Sequence, residues 1–134
     1  MLELFMRALP LLQNALLLTL LLSASSFVLG CVLGLFIALA RISSFRVLRY
    51  AAFVYVSIFR GTPLLVQLLL IYFGLPRIGI VLEPVPSAII ALTLFTASYL
   101  SENFRSGINA VDKGQWEAGL SMGLSYRKLM HRII

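Results

Sequence analysis

With 134 residues, 60% of them hydrophobic and only 12% charged, the chain is too apolar for a soluble domain, whose apolar share is about half and charged share about a quarter. It is therefore expected to be a membrane protein. The net charge of +6 does not point to nucleic acid, because the basic residues cluster at the ends of apolar runs, the pattern of topology signals and anionic-lipid contact. The one cysteine, Cys31, rules out an intrachain disulfide and reads as helix packing between Gly30 and Val32.

No charge interrupts residues 8–40, and about 20 apolar residues suffice to span a bilayer as a helix. Arg7 followed by a leucine-rich run and then Ser23, Ala24 and Ser25 imitates a signal peptide, but the apolar run continues beyond them, so the segment is expected to be a retained helix. Ser26, Gly30, Gly34 and Ala38 recur every fourth position, a small-residue stripe that lets another helix backbone come close. Packing within a bundle is the expectation, and homodimerisation the alternative.

Residues 41–49 hold Arg41, Arg46 and Arg49 and no acid, which places this loop in the cytoplasm and the N-terminus outside. The next apolar region, 50–76, is broken at Arg60-Gly61-Thr62-Pro63. Proline removes a donor and glycine costs helix entropy, so a kink or a restart is predicted there, with Thr62 as cap and Pro63 at the first helical position. Two placements of Arg60 are open: snorkelling from a surface helix at the cytoplasmic interface, or facing a polar cavity in a broken span. Residues 63–76 would cover only about 21 Å as a helix, too short for a full span, which favours the cavity.

Phe59-Arg60-Gly61-Thr62-Pro63-Leu64-Leu65-Val66-Gln67, followed by Ile71-Tyr72-Phe73-Gly74-Leu75-Pro76, resembles the corresponding helix of ABC importer permeases of the polar amino acid branch, the histidine, glutamine, arginine and cystine uptake systems. The resemblance implies a substrate path bordered by Arg60 and Thr62, where a guanidinium beside freed backbone groups suits an α-carboxylate. The other reading is that Arg60 orients the helix or pairs with lipid phosphate.

Residues 77–86 form an external loop, with Pro84 and Pro86 opening a third span whose Thr93, Thr96, Ser98, Tyr99 and Ser101 favour a cavity-lining or helix-contacting role. Glu102 and Arg105 at its cytoplasmic end are spaced to pair on one helix face. Glu102 is a candidate for a substrate ammonium, or for a structural joint between helix and loop.

The last stretch reads as two short helices hinged at a glycine. Asp112 with Gln115 caps a helix over residues 113–122, and Gly123 supplies a left-handed stop. Ser125 then caps a second helix with Tyr126, Leu129, Met130, Ile133 and Ile134 on one face and Arg127, Lys128, His131 and Arg132 on the other. By periodicity alone this is an interfacial segment, lying on headgroups or on a partner.

Glu117-Ala118-Gly119, three residues, Gly123, nine residues and Ile133 resemble the signature cytoplasmic loop of ABC importer permeases, Glu-Ala-Ala-x3-Gly-x9-Ile-x-Leu-Pro. Gly119 stands where the family usually has alanine, and the chain stops before the Leu-Pro. The residues from Ala97 to Ile108 and from Ala110 to Ala118 are again similar to the polar amino acid branch, so that the resemblance runs from about Leu16 to the end. It implies a coupling element that docks on a separate ATPase: Glu117 anchoring, Trp116 and Leu120 filling the docking cleft, Ala118 and Gly119 within the motif, Gly123 making the turn.

The resulting expectation is an all-α membrane protein, the first part of the type-1 ABC importer permease fold. It comprises one incomplete domain over about residues 16–134, with transmembrane helices at about 11–40, 54–76 and 85–104 and a cytoplasmic coupling loop over 105–134. The family has five spans, so a C-terminally truncated permease is expected. The resemblance further implies residence in a bacterial inner membrane, amino acid import, and as partners an ATPase dimer, a second permease subunit and an extracytoplasmic solute-binding protein, besides membrane lipid. No Gly-rich nucleotide loop, metal-ligand cluster or nucleophile–histidine pair occurs in the sequence, so neither an enzyme nor a bound cofactor is expected. The alternative is a three-span scaffold or inactive fragment with no transport role.

Overall fold

A computed structural model describes residues 2–125, 128 and 129, and of residues 2–7 the backbone alone. The uninterrupted leucine, alanine and valine run folds as one helix, α1 (Leu2–Ile42), which carries Pro10 near its start. Leu11, Leu17 and Phe36 are each 65% or more exposed. A water-soluble chain this small does not leave such a band open, whereas lipid tails accept it.

Helix α2 (Arg46–Gly61) follows, then α3 (Leu64–Leu69), which runs on through a π turn (Leu70–Gly74) and a 3-10 turn (Leu75–Ile78). Gly79, at φ +89°, ends this stretch. Helix α4 (Pro84–Asn109) opens with Pro84 in its first turn, as expected, and α5 (Lys113–Ser121) comes after a short turn. Among the described residues, Ala8–Ile42 and Pro84–Asn109 are long and apolar enough to cross a membrane. Arg46–Gly61 with Leu64–Ile78, bent by 106°, makes a third crossing if taken as one broken span.

The small-residue stripe of α1 meets α4. Ser26, Gly30, Gly34 and Ala38 are all buried, and a β-carbon at Gly30 would lie 2.9 Å from Thr96 Cγ2, one at Gly34 3.0 Å from the Ala97 carbonyl oxygen. Helix α4 answers with buried Ala97, Ser98 and Ser101, whose hydroxyls donate within the helix to Phe95 O (2.7 Å) and Ser98 O (2.8 Å), so the close face carries no unsatisfied serine. Residue 30 faces residue 96, residue 34 faces 97–101, and Arg41 pairs with Glu102. The two helices are therefore parallel. Pro84 begins about 27 Å along the axis from Glu102 at the helical rise, and the bent segment must carry the chain back over that depth.

The break between α2 and α3 falls where the sequence predicts it, but its capping differs. Pro63 occupies the cap position and α3 begins at Leu64. Thr62 closes α2 instead, its hydroxyl donating to Ile58 O at 2.8 Å. Pro63 has no N–H for the carbonyl of Phe59 four residues back. The buried Gln67 supplies the missing donor: its Nε2 donates to Phe59 O (2.9 Å), Thr62 O (3.2 Å) and Thr62 Oγ1 (2.8 Å). This side chain braces a backbone break that would otherwise leave bare carbonyls.

Candidate functional site

Two places gather the residues singled out in the sequence. The first is a cleft of about 360 Å³ where the end of α1, the second half of α2 and the last turns of α4 converge, lined by Arg41, Phe53, Val56, Ser57, Arg60, Gly61, Tyr99 and Glu102. Arg60 is exposed, and its guanidinium sits over the Tyr99 ring at 5.2 Å, a cation–π contact that fixes a charge at the mouth without neutralising it. Glu102 accepts from Arg105 Nε at 2.9 Å and from Arg105 Nη2, and lies 3.7 Å from Arg41 Nη2. Arg41 is itself held over Phe53 at 5.2 Å.

The pairing of Glu102 with Arg105 follows the spacing read from the sequence. Arg60 and Glu102, forty-two positions apart, do share one cleft. Thr62 lies outside its lining, its side chain engaged by Ile58 and Gln67. Tyr99, singled out in the sequence with its polar neighbours for a cavity-lining or helix-contacting role, lines this cleft, whereas sequence reasoning missed Arg41, which it treated as a topology signal. The available signal was that Arg41 ends an apolar helix with no acid in its own segment, so any partner had to be distant. Chemically, three guanidiniums (Arg41, Arg60 and Arg105) stand about one carboxylate that two of them already hold, so the cleft is net positive and suits an anionic group.

The second place is α5. Asp112 caps it as expected, its Oδ1 accepting from Gly114 N–H at 2.6 Å, while Gln115 contributes its backbone N–H to Asp112 O at 3.1 Å. At the other end Gly123 takes φ +74°, with Gly123 N–H donating to Leu120 O (2.9 Å) and Leu124 N–H to Gly119 O (3.1 Å). This is the paired closure of a helix at a left-handed glycine. Between these fixed ends Glu117, Ala118 and Leu120 are exposed and Gly119 is buried. Trp116 is half-buried and lines a cleft of about 330 Å³ with Ile42, Ile108, Asn109, Val111 and Lys113, so it faces the end of α1. Of the second helix, the backbone of Leu129 donates to Ser125 O at 3.0 Å and Leu129 is buried. Tyr126, Arg127, Met130, His131, Arg132, Ile133 and Ile134 lie outside the described residues.

Comparison with known proteins gives a consistent set of relatives. Residues 30–134 match the family described as binding-protein-dependent transport system inner membrane component. The chain is 46% identical over 125 residues to the L-cystine transport system permease protein TcyB of Bacillus subtilis (strain 168), covering 93% of this chain and 53% of that protein. It is 42% identical over 126 residues to the arginine transport system permease protein ArtQ of the same organism, covering 93% and 58%. It is 44% identical over 119 residues to a putative glutamine transport system permease protein GlnP of Rickettsia prowazekii (strain Madrid E), covering 88% and 55%. A solved structure described as an amino acid ABC transporter with histidines matches at a TM-score of 0.88 and 39% identity, over 96% of this chain and 60% of that one. The chain spans a little over half the length of these relatives.

Proposed function

The chain belongs to the family of binding-protein-dependent transport system inner membrane components, and from that premise we propose that it acts in a permease subunit of an ATP-driven importer of polar amino acids. The substrate class is supported by what its relatives are named for, cystine, arginine and glutamine. The reading makes it a multi-pass inner-membrane transport protein and not an enzyme. Its partners are an ATPase dimer, a second permease subunit, identical or paralogous, and an extracytoplasmic solute-binding protein.

The observation that carries the proposal is α5: a nine-residue helix pinned by Asp112 and Gly123 that holds Glu117, Ala118 and Leu120 exposed. Such a rigid, outward-facing helix suits docking in a cleft of the ATPase, with Glu117 as anchor. It is joined to α4 by a short turn, and α4 is seated on the glycines of α1, so a push on α5 is delivered to both helices together. The parallel arrangement of α1 and α4 supports three spans, with the bent segment as the second, the N-terminus outside and α5 in the cytoplasm, the side on which Arg41, Arg46 and Arg49 belong. Arg60 and Glu102 then border the substrate path from the cytoplasmic end. Thr62 contributes by shaping the bend.

The test is co-purification of the ATPase subunit of the same transport system with wild type and Glu117→Lys. Loss of recovery in the variant, with its helical content unchanged, is the expected result. Equal recovery and equal transport-coupled ATP hydrolysis would refute the assignment and favour a scaffold without a transport role. Arg60→Gln, in a transporter that still assembles, is expected to lower amino acid uptake.

A further inference from the structure

The α1–α2 connection concentrates charge beyond what orientation in the membrane requires. Arg41, Arg46, Arg49 and Arg105, together with Tyr50 and Phe53, line an open cleft of about 480 Å³, and among the described residues no carboxylate lines it. Arg46, Arg49, Tyr50 and Phe53 follow one another at i, i+3, i+4 and i+7, a single face of α2. Arg41 and Arg105 are partly compensated by Glu102, but among the described residues Arg46 and Arg49 form no ion pair, and both are exposed. Guanidinium forks converging on one space suit an anion with several oxygens at once, above all a phosphate.

The walls distinguish between sources of that phosphate. Tyr50 is 69% and Phe53 51% exposed, and the Phe53 ring holds Arg41 at 5.2 Å. A dissolved phosphate ion gains nothing from an aromatic wall, whereas the glycerol and upper acyl chain of a lipid do. The cleft also lies where the apolar helices α1 and α4 end, at the depth of a headgroup layer.

We propose that this cleft is a binding site for the phosphate of an anionic phospholipid, with Arg46 and Arg49 supplying most of the attraction, Arg41 and Arg105 the remainder, and Tyr50 and Phe53 packing along the glycerol and chain. The proposal requires only that α1 and α4 span the bilayer. It does not depend on amino acid transport, so the two readings fail separately.

The test uses the whole chain in a mild nonionic detergent, titrated with phosphatidylglycerol and followed by native mass spectrometry, with phosphatidylcholine and inorganic phosphate in separate arms. Phosphatidylglycerol is expected to form a discrete one-to-one adduct that phosphatidylcholine does not match. Arg46→Gln/Arg49→Gln is expected to weaken it about 25-fold, about fivefold for each arginine at an anionic surface, and Arg46→Lys/Arg49→Lys to bind between the two, keeping the charge and losing the fork. Both positions are exposed, and the headgroup preference of the wild type stands as a readout that does not depend on any variant folding. Equal binding of the two lipids, or equal binding of phosphatidylglycerol by wild type and the glutamine variant, overturns the proposal. So does displacement of the lipid by millimolar inorganic phosphate, which would assign the cleft to a soluble anion. Loss of ATPase co-purification in the glutamine variant with lipid binding intact would make it a protein contact, and also overturns the proposal.

Discussion

Replacing Gln67 with leucine keeps most of the side-chain volume and removes the donor that closes the gap opened by Pro63. Two carbonyls, Phe59 O and Thr62 O, lose the Nε2 contact, and so does the Thr62 hydroxyl. A fully buried carbonyl left without a donor costs about 1–3 kcal/mol; both of these are part-buried, so the two together would cost about 2–4. The wild-type side chain carries a cost of its own, because Gln67 Oε1 is buried with no hydrogen-bond partner among the described residues. Its removal returns about 1–3 kcal/mol by the same measure. The net expectation for Gln67→Leu is a destabilisation of about 1 kcal/mol, located at the bend. Denaturant titration in detergent, followed by far-ultraviolet circular dichroism, would report it as a lower midpoint, and hydrogen exchange would show faster exchange confined to residues 58–68. A midpoint equal to or above that of wild type would refute the claim that Gln67 substitutes for the missing proline N–H.

Gly34→Ala would place a β-carbon 3.0 Å from Ala97 O and 3.2 Å from Ser101 N. The overpacking cost of about 1–3 kcal/mol should exceed the roughly 1 kcal/mol gained in helix propensity, read as a lower unfolding midpoint. Gly123→Ala forces a β-carbon into φ +74° at a cost of about 1 kcal/mol, and should speed amide exchange in α5 while leaving α1 and α4 unchanged. Tyr55→Phe deletes the hydroxyl that donates to Leu94 O at 2.7 Å, with an expected loss of about 1 kcal/mol by the same titration. Glu102→Gln removes the anion shared by Arg41 and Arg105 and is expected to lower the midpoint and, under the proposed transport role, amino acid uptake in the assembled importer, with Glu102→Asp intermediate in both.

The parts of this architecture that a reader of the sequence can reach are those set by local rules. The recurrence of Ser26, Gly30, Gly34 and Ala38 announces a close helix contact because four residues return to the same face, and the contact is there, although its partner, α4, is not nameable from spacing. Asp112 and Gly123 announce the two ends of α5 because capping depends on neighbours a few positions away. Pro63 announces a break for the same reason. What closes that break escapes, since the acceptor freed at Phe59 and the donor at Gln67 lie eight positions apart across a bend and meet only once the bend has formed. Thr62 was expected to cap the helix ahead of it and instead completes the one behind, its hydroxyl donating to the carbonyl of Ile58. Arg41 is the clearest loss: reading its charge as a topology signal alone concealed a pairing with Glu102 sixty-one residues away.

The seam between α1 and α4 also decides which movements are open to them. Sliding α1 by one turn toward its C-terminus would bring Ser26 to where Gly30 now sits, and its β-carbon would strike Thr96. Sliding it the other way would bring Ala38 to the place of Gly34, against the backbone at Ala97. A one-turn slide is thus penalised in both directions by nothing larger than a methylene or methyl group. The seam holds the two helices in one register, while the break at Pro63, where a helical hydrogen bond is missing, is a place where the chain bends without disturbing it.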